Sequence, residues 1–246
     1  MHDQTLKWLL VANVLLLGVA LWHSDALPPP AELVPALQDE PVQTAVKQAA
    51  FSTTRDGVVY TVQPLFEYDL VGLVVSKHDA KSWWDYLHRE WNDNLNIVDL
   101  CVIWGNNARS GAYADIAFSS GQFTCNFSTH SDAAYAAFDQ TAISNNHLLT
   151  DQATLAKTMR AIRVGDQIHF RGHLAEYSHH HGMEFKRGTS TVRTDTGNGA
   201  CETVFVDSIE IIKAGGKRWR MLVWAASLML AVGVFAWFAR PVRPSD

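Results

Sequence analysis

A stretch of nineteen uncharged residues near the carboxyl end, 221–239, constrains this chain more than any other feature. At about 1.5 Å per residue it forms about 28 Å of helix, close to the roughly 30 Å hydrocarbon core of a bilayer. Arg220 and Arg240 bound the stretch, and Trp219 and Trp237 lie near its ends, as interfacial anchors do. Buried helices of soluble proteins are usually shorter and less uniformly apolar. The stretch predicts a transmembrane helix.

A second apolar segment, 8–22, lies near the amino end. Its fifteen residues give about 22 Å of helix, which suits a short transmembrane anchor or the apolar region of a signal peptide. Small residues at Ser24 and Ala26 fit a signal-peptidase site, whereas Trp22 so close to the cut favours a retained anchor. Both alternatives stay open, and both carry the following segment out of the cytoplasm.

The distribution of basic residues predicts the orientation. Residues 23–46 contain no Lys or Arg and four acidic residues, whereas Lys7 precedes the first span. The second span indicates the opposite orientation, because four basic residues lie in 213–220 and only two follow the span. The first span usually dominates. We therefore predict a bacterial-type inner-membrane protein with its central domain in the periplasm.

Composition excludes several classes of protein. A formal net charge of -5 argues against nucleic-acid binding through bulk positive charge, so we expect no nucleic-acid partner. A hydrophobic fraction of 48% and nine tryptophans argue against disorder. With only three cysteines, the chain is not a disulfide scaffold.

The sequence predicts seven consecutive segments. They are a leader at 1–7, a transmembrane anchor or signal peptide at 8–22, a Pro-rich linker with a short helix at 23–51, an extracytoplasmic β-rich domain at 52–212, a basic juxtamembrane hinge at 213–220, a transmembrane helix at 221–239 and a tail at 240–246.

We predict that the central domain is mostly β (α+β), with a few short helices between strands. Residues 164–174, Val-Gly-Asp-Gln-Ile-His-Phe-Arg-Gly-His-Leu, contain a Gly-Asp turn, alternating apolar residues and a glycine where a strand bends. This segment resembles a strand of OB-fold-like barrels, and 204–212 resembles their closing strand. The resemblance implies a small OB-like barrel or sandwich and no particular substrate, because such barrels host many functions.

Five residues are candidates for ligand or partner binding. His169, Arg171 and His173 alternate along the predicted strand and share one face. Arg193 and Asn198 lie in the polar, hydroxyl-rich hairpin 188–199. The two histidines are about 13 Å apart along a strand, too far to share one ion. We predict no metal, no cofactor and no catalytic residue.

The three cysteines allow one disulfide in an oxidising compartment. We predict Cys125–Cys201, since both lie in strand segments with polar neighbours, whereas Cys101 lies in the apolar run 97–104. The alternative is three reduced thiols.

No nucleophile elbow, P-loop or dinucleotide fingerprint occurs in the chain. We therefore expect a membrane-anchored extracytoplasmic binding or assembly module, non-catalytic and part of an inner-membrane complex, with membrane lipid and other membrane proteins as partners. The alternative is an extracytoplasmic metal-dependent or hydrolytic enzyme that uses the face of His169 and His173, or the region of His147.

Overall fold

The computed structural model of the protein describes residues 2–239, apart from the side chains of residues 2, 3 and 198. The chain forms two compact units. The terminal unit joins the two ends of the chain, 2–26 and 215–239 in the described part, and the central unit is Leu27–Ala214.

Ten strands and six α-helices make up the described chain. The strands are β1 (Val42–Ala45), β2 (Phe51–Arg55), β3 (Val58–Asp79), β4 (Asn96–Ile103), β5 (Ala117–Gly121), β6 (Thr124–Ser128), β7 (Ile143–Leu149), β8 (Gln167–His179), β9 (Phe185–Arg187) and β10 (Cys201–Lys213). The helices are α1 (His2–Ser24), α2 (Leu87–Glu90), α3 (Gly105–Ser110), α4 (Asp132–Ala137), α5 (Ala153–Ala161) and α6 (Lys217–Phe238).

The terminal unit is a pair of apolar helices, α1 and α6. Both are long and apolar enough to cross a membrane, with mean hydropathies of 1.8 and 2.1 in their most apolar stretches. His23 stacks on Trp219 at 4.6 Å between ring centroids, and Lys7 lies 5.6 Å from the Trp237 ring. The end of α1 therefore lies beside the start of α6, so the helices run antiparallel. The amino end of α1 likewise lies beside the carboxyl end of α6.

The central unit is built on a mixed sheet of eight strands, which confirms the α+β class. Strand β3 pairs antiparallel with β4, β4 with β7, and β8 with both β10 and β3, while β10 and β7 are parallel. These pairings form a closed circuit, β3–β4–β7–β10–β8–β3. Strands β1, β2 and β9 add to it, and β5 and β6 form a separate hairpin.

Strand β3 is 22 residues long and exchanges neighbours along its length. Residues 61–73 pair with β8, and 73–79 pair with β4. Gly72 lies at the change of partner, where an added Cβ would meet the Val102 side chain at 2.3 Å. The missing side chain lets β4 approach closely.

The main core is formed by the strands of this circuit. Apolar residues of all five strands belong to it, Leu148 alone from β7, together with Ala156 and Met159 of helix α5. Trp104 and Phe170 are among the largest side chains in this core. On β8, Ile168, Phe170 and Leu174 belong to this core. Their burial explains the alternating pattern that the sequence shows at 167–174.

Most of the segment predicted as a linker is part of the central unit. Residues 30–38 form two short 3-10 helices with Leu37 fully buried, and the Tyr113 hydroxyl donates to the Pro28 carbonyl at 2.7 Å. Residues 42–45 form strand β1 at the edge of β3, where the sequence favoured a short helix. Pairing with an available strand edge outweighs local helix propensity here.

Candidate functional site

Two buried polar side chains face each other on the second and third strands of the circuit. Asp99 on β4 and His147 on β7 are paired residues in the β4–β7 ladder, and both are fully buried. His147 Nδ1 lies 2.7 Å from Asp99 Oδ1. Cross-strand pairing places the two side chains on one face and so makes this short contact possible.

Arg187 at the end of β9 determines which ring nitrogen of His147 carries the proton. Its Nη2 lies 2.8 Å from His147 Nε2, and an arginine only donates hydrogen bonds. Nε2 must therefore accept, so the imidazole is neutral and donates from Nδ1 to Asp99. The guanidinium also stacks over the Phe123 ring at 4.0 Å.

The surroundings shift both pKa values in the direction of this arrangement. Burial lowers the pKa of His147, and the Arg187 charge lowers it further against the opposing effect of Asp99. Burial alone would raise the pKa of Asp99, but His147 and a hydrogen bond from Asn96 hold it well below its usual range. The Phe123 amide also donates to Asp99 Oδ2 at 3.0 Å. The pair is a neutral imidazole on an ionised carboxylate.

A second cluster of polar side chains lies where β3 ends. Asp85 Oδ2 is 2.6 Å from His78 Nε2 and 2.6 Å from His88 Nδ1. Asp85 Oδ1 accepts the His88 backbone amide at 3.1 Å, which fixes the start of α2. All three residues are buried, and these three ligand atoms lie within 4.8 Å of one another.

Asn96 connects the two clusters. Its Nδ2 lies 2.8 Å from Asp99 Oδ1 and 3.0 Å from His88 Nε2. The carboxylate can only accept, so Nδ2 faces it, and His88 Nε2 accepts the second amide proton. His88 is then neutral and carries its proton on Nδ1, toward Asp85. We call the connected set the buried polar network: His78, Asp85, His88, Asn96, Asp99, His147 and Arg187.

An exposed loop lies directly over the second cluster, where the Trp84 ring lies 4.6 Å from the His78 ring. We define the aromatic loop as residues 80–86, between β3 and α2. Trp83, Trp84 and Tyr86 are 87%, 44% and 57% exposed, although Asp85 between them is fully buried. Gln122 Oε1 accepts the backbone amides of Tyr86 and Leu87 at 3.0 and 2.8 Å. Asp85 and Gln122 therefore hold an apolar surface in a fixed position.

A cavity of about 290 Å³ opens next to His88. Its lining combines part of the buried polar network with cationic side chains of the β3–β4 connection. The lining residues are Ala80, Lys81, His88, Arg89, Asp93, Asn94 and Asn96.

The predicted binding face of β8 forms ion pairs with carboxylates outside the buried polar network. His169 and Arg171 share Asp69 on β3, at 2.7 and 2.8 Å, and His173 pairs with Asp207 at 3.2 Å. The three residues do share a face, in a partly exposed row of ion pairs. Within residues 2–239, none of their hydrogen bonds or ion pairs reaches the buried polar network, and their role in binding stays a prediction.

Arg193 contacts a different part of the central unit. Its Nη1 lies 3.1 Å from Glu202 Oε1, and its guanidinium lies 4.6 Å from the Trp104 ring centroid. Burial raises the pKa of Glu202, and the Arg193 charge opposes that rise. Asn198 lies in a 3-10 turn, Gly197–Gly199, and its side chain is outside the described part. A binding role for either residue stays a prediction.

The disulfide differs from the predicted pair. Cys125 is bonded to Cys101, with Cα atoms 5.6 Å apart, and Cys201 is a free thiol. The β5–β6 hairpin lies over β4, which brings Cys125 onto Cys101, a contact that strand polarity could not reveal. A disulfide does form, which fits an oxidising compartment.

The buried polar network was largely missed from sequence, although two signals were present. Asp99 is the single charged residue in the run 97–104, and a charge within a buried strand requires a partner. Asp85 and His88 are three apart, a spacing that puts both on one side of a helical turn. His78 and Asn96 lie near Asp85 and Asp99 in the sequence, whereas His147 and Arg187 come from two distant segments, so only the fold brings the whole set together.

Fold and site together define a class: an α+β domain whose buried histidine–carboxylate network underlies an exposed aromatic loop, in a chain with an apolar helix at each end. The chain matches no protein-family model, no curated protein and no solved structure.

Proposed function

We propose that this protein is a membrane-anchored binding or assembly module, non-catalytic, whose central unit lies in the periplasm and contacts another subunit of an inner-membrane complex. The observation that carries the proposal is the aromatic loop. Trp83 and Tyr86 are largely exposed on a loop that the buried Asp85 holds in place.

The compartment is supported by three independent features. The two terminal helices are apolar enough to span a membrane, and the disulfide suits an oxidising environment. The absence of basic residues in 23–46 favours translocation of the segment after the first helix. A retained first anchor, rather than a cleaved signal peptide, fits the contacts between α1 and α6.

The circuit of strand pairings supports an OB-like barrel. Such barrels have five strands, and their ligands bind on strands two and three and on adjoining loops. In this chain the corresponding strands are β4 and β7, and the loop that follows the first strand contains the aromatic loop. In chain order, helix α5 lies between β7 and β8, the third and fourth of these five strands.

The side chains of this surface favour a protein partner. Trp, Tyr and Arg are the residues that most often dominate binding energy at protein interfaces. Trp83, Tyr86 and Arg89 lie within seven residues, and the fixed backbone reduces the entropy lost on binding. The net charge of -5 disfavours a nucleic acid.

Membrane lipid is the second proposed partner. Lys213, Lys217, Arg218 and Arg220 precede the apolar part of α6. Cationic side chains next to an anionic leaflet contribute roughly 1 kcal/mol each. They would anchor the start of this helix at the interface.

Site-specific photo-crosslinking in living cells tests the protein partner. A benzophenone amino acid replaces Trp83 or Tyr86 in the full-length chain, and the matched control replaces Tyr135, which is 56% exposed on α4. We expect one discrete protein adduct from positions 83 and 86 and none from 135. A Trp84→Ala substitution should reduce the adduct at position 83.

Two results would contradict the proposal. Equal adducts from all three positions would indicate chance encounters. Adducts at positions 83 and 86 that yield glycan and no peptide would assign the surface to a polysaccharide ligand instead.

An extracytoplasmic hydrolytic or metal-dependent enzyme remains the second candidate, and the His147–Asp99 hydrogen bond favours it. A carboxylate that orients an imidazole is a recurrent part of acid–base sites. Arg187 occupies Nε2, so a substrate would have to displace it. Hydrolysis of chromogenic esters by the full-length protein, abolished in His147→Gln, would support this candidate over the first.

A further inference from the structure

Three ligand atoms of the central unit converge on one point. His78 Nε2, Asp85 Oδ2 and His88 Nδ1 lie within 4.8 Å of one another, and all three residues are buried. We propose that they bind one divalent transition-metal ion of the zinc type. Two imidazoles and one carboxylate are a ligand set that zinc takes in three-ligand sites with an open fourth position. The inference does not rest on the proposed partner surface.

The charge of the cluster favours a cation. Asp85 is fully buried, and His88 is neutral because Asn96 donates to its Nε2. A buried carboxylate is costly unless it is paired with positive charge, and the hydrogen bond from the neutral His88 supplies only part of that pairing. A divalent ion would supply the rest.

The proton balance of binding can be followed at His88. In the ion-free arrangement Nδ1 carries a proton that it donates to Asp85. An ion on Nδ1 takes the place of this proton, which moves to Nε2 and then requires an acceptor. The proton that His78 Nε2 donates to Asp85 is displaced in the same way and moves to His78 Nδ1. Asn96 provides an acceptor for the His88 proton, because its Oδ1 is buried without a hydrogen-bond partner among the described residues. Turning the amide to present Oδ1 gives up the bond from Nδ2 to Asp99, so ion binding and that bond compete.

The fold already brings the three ligands together. His78 lies one residue before the end of β3, and Asp85 and His88 lie around the start of α2. Asp85 Oδ1 is held by the His88 amide, which leaves Oδ2 to the ion. Of the three ligands, His88 also lines the cavity of about 290 Å³.

The experiment uses the full-length protein in detergent, without a histidine tag and stripped with a chelator. Zn²⁺ is titrated calorimetrically, and bound metal is counted by mass spectrometry. We expect one tight ion per chain. His78→Gln and His88→Gln should each weaken binding by more than about 100-fold, since even changes behind the ligands cost 10- to 100-fold.

Matched controls come from histidines outside the cluster. His180 and His181 are exposed in a loop and could bind metal weakly, so the double variant His180→Ala/His181→Ala should keep the tight site. His169→Ala, in the row of surface ion pairs, should keep it as well. Loss of the tight ion only in the double control would overturn the inference.

A measurement on the unsubstituted chain covers the case in which a cluster variant fails to fold. Co²⁺ replaces Zn²⁺, and ligand-field absorption together with paramagnetically shifted imidazole N–H resonances counts the histidine ligands. Two shifted imidazoles per chain in the double control His180→Ala/His181→Ala support the site. Absence of a stoichiometric Co²⁺ spectrum in the unsubstituted chain refutes it.

Discussion

Arg187 keeps His147 neutral. Its guanidinium donates to Nε2 at 2.8 Å while Nδ1 donates to Asp99 at 2.7 Å, so both ring nitrogens are committed and no position remains for a second proton. Protonation of His147 in the folded chain would place two cations against each other in a fully buried site. The folded state therefore resists a proton that the unfolded chain accepts freely.

This relationship predicts a loss of stability in mild acid. Burial lowers the pKa of His147 in the folded chain below its ordinary value of 6.5. Below about pH 6.5 the unfolded chain binds a proton that the folded chain does not, so the free energy of unfolding falls as the pH falls. The slope approaches about 1.4 kcal/mol per pH unit for this residue. Urea unfolding of the full-length protein in detergent between about pH 7.5 and 5 measures it.

The variant His147→Gln provides the comparison. Glutamine does not titrate, so the dependence of stability on pH should become shallower, whatever the variant costs at neutral pH. Unchanged steepness in the variant would mean that other groups cause the acid sensitivity.

Two aspartates on neighbouring strands should differ sharply in their importance. Asp99→Asn removes the negative charge that accepts hydrogen bonds from three donors. The variant should destabilise the fold by about 3 kcal/mol. Asp69→Asn, at the partly exposed row with His169 and Arg171, should cost less than about 1 kcal/mol. Urea unfolding midpoints compare the two variants at one pH. Similar losses would indicate that the surface row is coupled to the core.

The sequence predicted those parts of the molecule that depend on local pattern. An uncharged stretch long enough to cross the hydrocarbon core predicts α6, and alternation of apolar and polar residues predicts β8. Each of these signals lies within one segment of the chain. The β1 segment was expected as a helix, since nothing local indicates that the edge of β3 is available to it.

The candidate site required contacts that no local pattern encodes. Asp99 and His147 are 48 residues apart and meet through the β4–β7 register. Arg187 reaches His147 from β9, and the hairpin of β5 and β6 decides which cysteine Cys125 meets. The histidines of β8 stood out in the sequence because they alternate, yet they pair with carboxylates at the surface.

The disulfide should stabilise the folded chain by joining the hairpin to β4. Cys101 and Cys125 are separated by 24 residues, and closing a loop of this length contributes about 3 kcal/mol. Cys125→Ser should therefore lower the free energy of unfolding by about that amount, and Cys201→Ser should have little effect. Denaturant unfolding with and without reductant measures the difference. Alkylation of the unreduced, denatured protein should modify Cys201 alone, and labelling of Cys101 instead would contradict the pairing.

Close backbone approach makes Gly172 hard to replace. An added Cβ would lie 2.2 Å from the Phe205 carbonyl oxygen on β10, next to the bulge in the β8–β10 ladder. Gly172→Ala should cost about 2 kcal/mol or more, because backbone must move to relieve the overlap. Gly188→Ala is the control, since its nearest neighbour is a flexible glutamate at 4.0 Å. Thermal unfolding of both variants should show a lowered midpoint for Gly172→Ala alone.

The antiparallel contacts of α1 and α6 predict where the ends of the chain lie in a membrane. Since His23 stacks on Trp219 and Lys7 lies against Trp237, two spanning helices place both termini on one side. The lack of Lys and Arg in 23–46, after the first span, predicts that this side is the cytoplasm. Alkaline phosphatase fused after residue 50 or 212 should be active, and a fluorescent protein fused after residue 246 should fluoresce. Fluorescence from the fusion at 212 would reverse the topology, and with it the reason for expecting the Cys101–Cys125 bond to persist in the cell.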